Sequence, residues 1–129
     1  MTQEEKELLL KDLCARLPYE TLISIDGNRY RMAEVRNALI GIDTYKTTID
    51  NCNIEQVKPY LFPLSSMTEE QEEKFHDELI ELELKALSDE ISHIEVAKFE
   101  IDYYLKNHFD YRGLIPMGLA IDATNLNIY

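Results

Sequence analysis

Positive charge is scarce in this chain: 13 Lys and Arg stand against 25 Asp and Glu in 129 residues, a net charge of −12. So acidic a molecule repels phosphate backbones and anionic lipid, and direct nucleic-acid binding is disfavoured. Long apolar runs are missing too. Stretches such as Leu8-Leu9-Leu10 and Ala38-Leu39-Ile40 fall far short of the roughly 20 residues that cross a bilayer, so no membrane association is expected. The acidic opening Met1-Thr2-Gln3-Glu4-Glu5 lacks the basic and apolar regions of a signal peptide, and the cytoplasm is the expected location. Two cysteines, Cys14 and Cys52, without a secretory signal read as reduced thiols rather than as a disulfide. Four glycines form neither a P-loop nor a dinucleotide-binding motif. No nucleophile elbow, zinc-spaced cysteines or calcium loop is present either. No cofactor or metal is implied, and enzymatic activity is not favoured.

What is abundant is carboxylate, and it is concentrated. Residues 1–67 hold ten acidic and eight basic side chains and residues 103–129 two of each, whereas residues 68–102 hold thirteen acidic side chains and three lysines. That one segment carries −10 of the −12.

The length suits a single domain, read as three stretches: 1–64, 65–108 and 109–129. Thr2 with Glu5 has the capping-box form, and Leu9, Leu10, Leu13, Cys14 and Leu17 follow at helical spacing until Pro18. Thr21–Ile25 predicts a strand, Asp26-Gly27 a tight turn and Tyr30–Val35 a second strand. Ala38–Ile42 and Tyr45–Ile49 predict two more, joined by Asp43-Thr44. Ile54–Leu61 predicts a helical turn leading into an extended piece closed by Pro63. The expected fold class is therefore α+β, with an N-terminal helix and a small antiparallel sheet or SH3-like barrel over about residues 20–64.

Thr68 with Gln71, and Ser66 with Glu69, predict the start of an acidic helix whose inner stripe is Phe75, Leu79, Leu82 and Ala86. A break near Ser88-Asp89, with Asp89 as the next cap, predicts a second helix with Ile94, Ala97, Ile101, Tyr104 or Leu105, and His108 facing inward. The pattern leaves open whether residues 68–107 are one helix or two. Asp110–Ile115 predicts a helical turn and Leu119-Ala120-Ile121 a last short strand.

Two strings carry a resemblance. Val57-Lys58-Pro59-Tyr60-Leu61-Phe62-Pro63-Leu64-Ser65-Ser66-Met67-Thr68-Glu69-Glu70 is one. Asn107-His108-Phe109-Asp110-Tyr111-Arg112-Gly113-Leu114-Ile115-Pro116-Met117-Gly118-Leu119-Ala120-Ile121 is the other. Together they resemble short uncharacterised proteins of gut Bacteroidales and their phages or prophages, a family without a known activity. The resemblance covers about a quarter of the chain and implies a mobile-element setting and no reaction. Asp122-Ala123-Thr124-Asn125 departs from the acidic-proline tail of that family.

The densest group of versatile side chains is His108, Asp110, Tyr111 and Arg112, which holds an acid, a base and an anion clamp. The same residues serve as a helix-end cap, with Asp110 capping, Arg112 pairing a carboxylate and Phe109 and Tyr111 plugging the core. Glu73-x-x-His76 and Glu90-x-x-His93 have the spacing of di-metal carboxylate bundles, yet they fall at different levels of any hairpin. Arg29, Arg31 and Arg36 with Tyr30 form a small basic strip. Cys52 is expected in a loop.

Three readings follow. A non-enzymatic protein-binding accessory or adaptor of phage or prophage origin leads, with a protein partner and an interaction surface drawn from His108, Asp110, Tyr111, Arg112, Glu78 and Glu81. An acidic mimic of nucleic acid that inhibits a host protein is the second. An enzyme built on His108–Arg112 is the third.

Overall fold

A computed structural model describes residues 1–36, 39–43 and 50–129, with the side chains of 36, 39, 43 and 50–52 outside the description. Helix α1 spans Gln3–Arg16, and the Thr2 hydroxyl accepts the Glu5 N–H at its start. Leu9, Asp12, Leu13 and Arg16 all face inward, because residues three and four apart share one side of a helix. A 3-10 turn, Leu17–Tyr19, ends the helix with Pro18 in its first turn, where the missing N–H costs nothing.

Strands β1 (Leu22–Ile25) and β2 (Asn28–Arg36) pair antiparallel through Asp26-Gly27. Both turn residues have positive φ, 51° and 82°, the primed geometry that matches strand twist and that glycine adopts without strain. β3 (Leu39–Asp43) pairs with β2, and the register slips between Met32 and Glu34, a bulge at Ala33 that bends the sheet. β4 (Asp50–Asn53) pairs with β3 and places Cys52 opposite Ile40, in a strand and not in the expected loop. The strand expected over Tyr45–Ile49 and the turn at Thr44 lie outside the described residues.

The capped turn Ile54–Gln56 leads into β5 (Val57–Pro63), which pairs antiparallel with β1. After the helices the chain returns to β5 with two short parallel strands, β6 (Phe109–Asp110) and β7 (Ile121–Asp122). The sheet order is β4-β3-β2-β1-β5-β6, with β7 added on β5. The fold class is α+β as expected, but the barrel alternative is corrected to an open sheet that is mixed rather than antiparallel. Closure would need free backbone groups on β5, and the C-terminal segment takes them: Phe62 N–H donates to the His108 carbonyl and Ala123 N–H to Leu61.

α1 covers this sheet. Leu9 and Leu13 meet Ile23, Ile25, Met32, Ile40, Val57 and Leu61, and Leu114, Leu119 and Ala120 close the core from the C-terminal segment.

Helix α2 (Glu69–Leu87) starts in the reciprocal Thr68–Gln71 capping box, and three glutamates in its first turn suit the helix dipole. The chain breaks after Ser88, so the acidic segment is two helices. Asp89 does not cap the second: it sits at φ 58°, and the N-cap of α3 (His93–Lys106) is Ser92, whose hydroxyl accepts the Glu95 N–H. Phe75, near the start of α2, stacks on Tyr103, near the end of α3, with centroids 4.4 Å apart, so the helices form an antiparallel hairpin. Among the described residues no helix is long and apolar enough to cross a membrane.

Candidate interaction surface

The C-terminal group of the sequence reading meets α1 in the interior. Asp12 and Arg16 are both fully buried, and Arg16 Nε donates to Asp12 Oδ2 at 2.7 Å. Arg16 Nη2 donates to the Phe109 carbonyl at 2.6 Å, and Arg112 Nε donates to the other Asp12 oxygen at 3.1 Å. Arg112 lies over the Tyr111 ring, 4.8 Å from its centroid, a cation–π contact that shields the guanidinium on one side. Asp110 accepts two N–H groups, from Leu114 at 2.8 Å and Ile115 at 2.9 Å. The carboxylate thereby satisfies a turn that has no helix ladder to use. Three of the four residues of the proposed cluster are therefore engaged with one another's neighbours inside the domain.

His108 is the fourth. It takes the left-handed conformation, φ 61°, and its ring stacks on Tyr129 with centroids 3.7 Å apart. Tyr129 is itself pinned: its hydroxyl donates to the Tyr60 carbonyl at 2.8 Å and accepts the Leu22 N–H at 2.9 Å. Burial pushes that phenol up to about 12. Burial, and then the nearby Arg16 guanidinium, lower the His108 imidazole to about 4. Its Nδ1 and Arg16 Nη1 are buried without a hydrogen-bond partner among the described residues. His108 is thus neutral in the folded chain at neutral pH.

A pH dependence follows with a definite sign. The unfolded chain protonates His108 near 6.5 and the folded chain near 4. Between those values the unfolded state binds more protons, so stability is fully present above about 6.5 and falls as pH drops toward 4. After discounting for the ring's partial exposure, the loss is about 2 kcal/mol. Urea unfolding of the chain and of His108→Asn, which keeps a residue tolerant of positive φ, is expected to converge near pH 4 and diverge near pH 7. A constant gap across that range would contradict it.

Glu78 and Glu81 are not near this cluster; both project from α2. Glu78 lines a cleft of about 580 Å³ with Tyr19, Lys74, Phe99, Tyr103 and Lys106. There burial, with help from Glu78, raises the Tyr103 phenol. Glu81 pairs with Lys85 at 3.8 Å, and among the described residues this is the sole ion pair within 69–102. Glu90 sits in the bend between the helices, so the second Glu-x-x-His does not lie on a helix. Arg29 and Arg31 are exposed on β2. Arg29 lies 5.8 Å from the Tyr60 ring centroid and Arg31 pairs with Glu20 at 3.4 Å, while the Arg36 side chain lies outside the description.

The hairpin itself departs most from expectation. The inner stripe of α2 is Phe75, Leu79, Leu82 and Ala86, as read from the sequence. On α3 the expected Tyr104 and Leu105, with His108 beyond its end, are turned inward, but Ile94, Ala97 and Ile101 are exposed and Val96, Phe99, Glu100 and Tyr103 are partly buried in their place. Aromatic contacts decide this: Phe75 stacks on Phe99 at 5.9 Å and Tyr103 at 4.4 Å and meets Tyr104, which the expected stripe included, at 5.6 Å, a larger contact than the isoleucines offer. The rings continue into the sheet, from Tyr103 to Phe109 at 6.3 Å, Phe109 to Phe62 at 6.4 Å and Phe62 to Tyr129 at 5.7 Å.

The displaced stripe has a counterpart on α2, where Ile80, Leu84 and Leu87 recur at helical spacing and are exposed. Leu84 is 60%, Leu87 75% and Ile94 79% exposed. At about 100° per residue, each outer stripe is turned roughly 140° from its inner one in the same sense. In the antiparallel hairpin each outer stripe is therefore turned away from the partner helix, Ile80-Leu84-Leu87 on the outer flank of α2 and Ile94-Ile101 on the outer flank of α3. At the base of the hairpin Leu64, Met67, Phe75, His76 and Tyr104 line a cleft of about 510 Å³. Sequence reasoning passed over Ile80, Leu84 and Leu87, although their spacing of four and three marks a second stripe on α2. It also passed over Asp12 and Arg16, although they share the helical side of Leu9 and Leu13.

No family model, no curated protein and no solved structure matches the chain.

Proposed function

We propose that the chain is a non-enzymatic, protein-binding accessory domain of the cytoplasm, of phage or prophage origin, and that it docks its partner through the exposed apolar rows of the α2–α3 hairpin. The observation that carries this reading is the exposure of Ile80, Leu84, Leu87, Ile94 and Ile101 on two adjacent helices. Single exposed leucines need no explanation, but rows of large apolar side chains along both helices of a hairpin mark an interaction surface. The resemblance of its two sequence strings supplies the mobile-element setting. His108, Asp110, Tyr111 and Arg112 serve in this reading as the mount that holds the hairpin's base. The nucleic-acid mimic asks for a continuous carboxylate face. Glu69, Glu70, Glu72 and Glu73 instead fall on successive sides of α2 at helical rotation, which lends it no support.

The test is affinity capture from cells producing the chain, comparing the wild type with Leu84→Ser/Ile94→Ser. Both positions are solvent-exposed, so the double variant is expected to keep its melting temperature within a few degrees. A partner retained by the wild type and lost by the variant supports the reading. Identical profiles from the two would sink it.

A further inference from the structure

We propose that the gap between β1 and β5 at Leu22 and Tyr60 is a binding site for a 4-hydroxyphenyl group, filled in cis by the chain's own Tyr129 and exchangeable for a tyrosine of a partner. The seat lies apart from the exposed rows of α2 and α3, so it stands or falls independently of the docking reading.

The seat is cut into the sheet itself. Thr21 turns its carbonyl toward β2, where it accepts the Met32 N–H, so by strand alternation Leu22 turns its N–H and carbonyl toward β5. The β1–β5 register runs from Ile25 opposite Val57 to Ile23 opposite Pro59, which makes Tyr60 the next partner of Leu22. The bond that would join the Leu22 N–H to the Tyr60 carbonyl runs instead through the Tyr129 hydroxyl, which accepts the first at 2.9 Å and donates to the second at 2.8 Å. One donor and one acceptor thus converge on a single hydroxyl. A site built to hydrogen-bond a hydroxyl discriminates against the same ring without one, because its own polar groups are then left unmet.

The ring is held as well. His108 stacks on it at 3.7 Å with 13° between the planes, and Phe62 lies against it at 5.7 Å. Such aromatic contacts add to the area that the ring buries.

The present occupant is weakly tethered. Among the described residues the last backbone hydrogen bond of its segment joins the Leu126 N–H to the Ala123 carbonyl. From Asn127 onward the Tyr129 hydroxyl makes the sole hydrogen bonds to the rest of the domain among those residues. A segment without backbone bonds gives up its side chain without breaking the sheet. Tyr129 is 43% exposed, and a cleft of about 380 Å³ opens beside it, lined by Phe62, Ser66, His108 and Thr124. A second phenol has that route of entry. A short flexible tether gives Tyr129 an effective concentration on the order of a millimolar, a handicap that a partner tyrosine with contacts of its own overcomes.

The probes are p-cresol, which carries the ring, carbon stem and hydroxyl of tyrosine, and toluene, which lacks the hydroxyl. Each is titrated into the wild-type chain and Tyr129→Ala, with binding read from the Leu22 amide and His108 ring resonances. Circular dichroism checks that the variant retains its fold. p-Cresol is expected to bind Tyr129→Ala at least about tenfold more tightly than it binds the wild type, and at least about tenfold more tightly than toluene binds the variant. It is also expected to raise the melting temperature of the variant, since it binds the folded state alone. Equal binding of the two probes would show a plain apolar hole, and equal binding to the two chains would place the phenol elsewhere. Either result overturns the inference, as does a folded Tyr129→Ala that p-cresol leaves unmoved. In the wild type the same two resonances are expected to move at higher p-cresol concentration, as Tyr129 is displaced. Their constancy up to the solubility limit would show that Tyr129 does not yield its seat, and would overturn the exchange. If Tyr129→Ala does not fold, Tyr129→Phe keeps the ring and gives up the hydroxyl. p-Cresol should then bind Tyr129→Phe more tightly than the wild type, and equal affinity would overturn the inference.

Discussion

Asp12→Ala is expected to cost about 3–5 kcal/mol, the penalty for leaving a buried guanidinium without its counter-charge. Asp12 and Arg16 are both fully buried, and the single carboxylate serves Arg16 on one oxygen and Arg112 on the other. Its removal strands one cation in the core and a second close beside it. In a domain of this size the loss corresponds to a fall in melting temperature of about 10–20 °C. Removing both charges is a different experiment. Asp12→Leu with Arg16→Met leaves no uncompensated ion inside, and buried pairs replaced by apolar groups of similar volume are often neutral. The double variant is therefore expected to regain more than half of the loss. The remainder is the lost Arg16 bond to the Phe109 carbonyl, which keeps only the Tyr111 N–H, and the freed Arg112. Urea midpoints of the three proteins give the comparison. An Asp12→Ala cost below about 1 kcal/mol would mean that water reaches the pair and that the interior is not closed there.

The second large effect is expected at Asp110. Its two oxygens take the N–H groups of Leu114 and Ile115, and the carboxylate is buried. Asp110→Ala leaves two donors without acceptors in a segment that contributes Leu114, Leu119 and Ala120 to the core. Each buried donor left unmet costs about 1–3 kcal/mol, so a loss of about 3 kcal/mol is expected. Asp110→Asn tests the geometry, since one amide oxygen replaces two carboxylate oxygens, and it is expected to fall midway. Amide exchange of Leu114 and Ile115 provides the local readout: both should lose protection in Asp110→Ala before the strands do. Unchanged protection at both would show that the cap does not hold the turn.

Local signals were legible where one interaction decides. Thr2, Thr68 and the Asp26-Gly27 turn sit where their hydroxyls and positive φ values demand, because caps and tight turns depend on a few neighbouring residues. The break at Ser88 was readable for the same reason. The extent of the sheet was not, because β6 and β7 are two residues each and exist through pairing with β5, about 50 and 60 residues earlier in the chain. A last short strand was expected over Leu119–Ile121, where β7 begins, but nothing local there or in Phe109-Asp110 announces the pairing with β5, and that pairing turns the expected small antiparallel sheet or barrel into an open mixed sheet. The inner side of α3 was read in part: Tyr104, Leu105 and His108 turn inward as expected, whereas Phe99 and Tyr103 take the place of Ile94, Ala97 and Ile101 because the aromatic stripe wins on contact area. Of the candidate surface, the carboxylates were visible and the apolar rows between them were not. A residue facing solvent and one facing a core look alike until the neighbours are placed.

The chain of rings described above has a mechanical consequence. It runs from Phe99 and Phe75 through Tyr103, Phe109 and Phe62 to Tyr129 and His108, so the lower half of the hairpin is clamped to the sheet by stacked, weakly deformable contacts. Beyond Phe75 and Phe99 the clamp ends, and smaller side chains alone hold the two helices together as far as Ser88. The hairpin is a cantilever: rigid at its root, compliant toward its tip, with its exposed leucines and isoleucines mostly on the compliant part. In the docking reading proposed above, such a beam lets a partner adjust the spacing of the two helices while the sheet keeps its orientation.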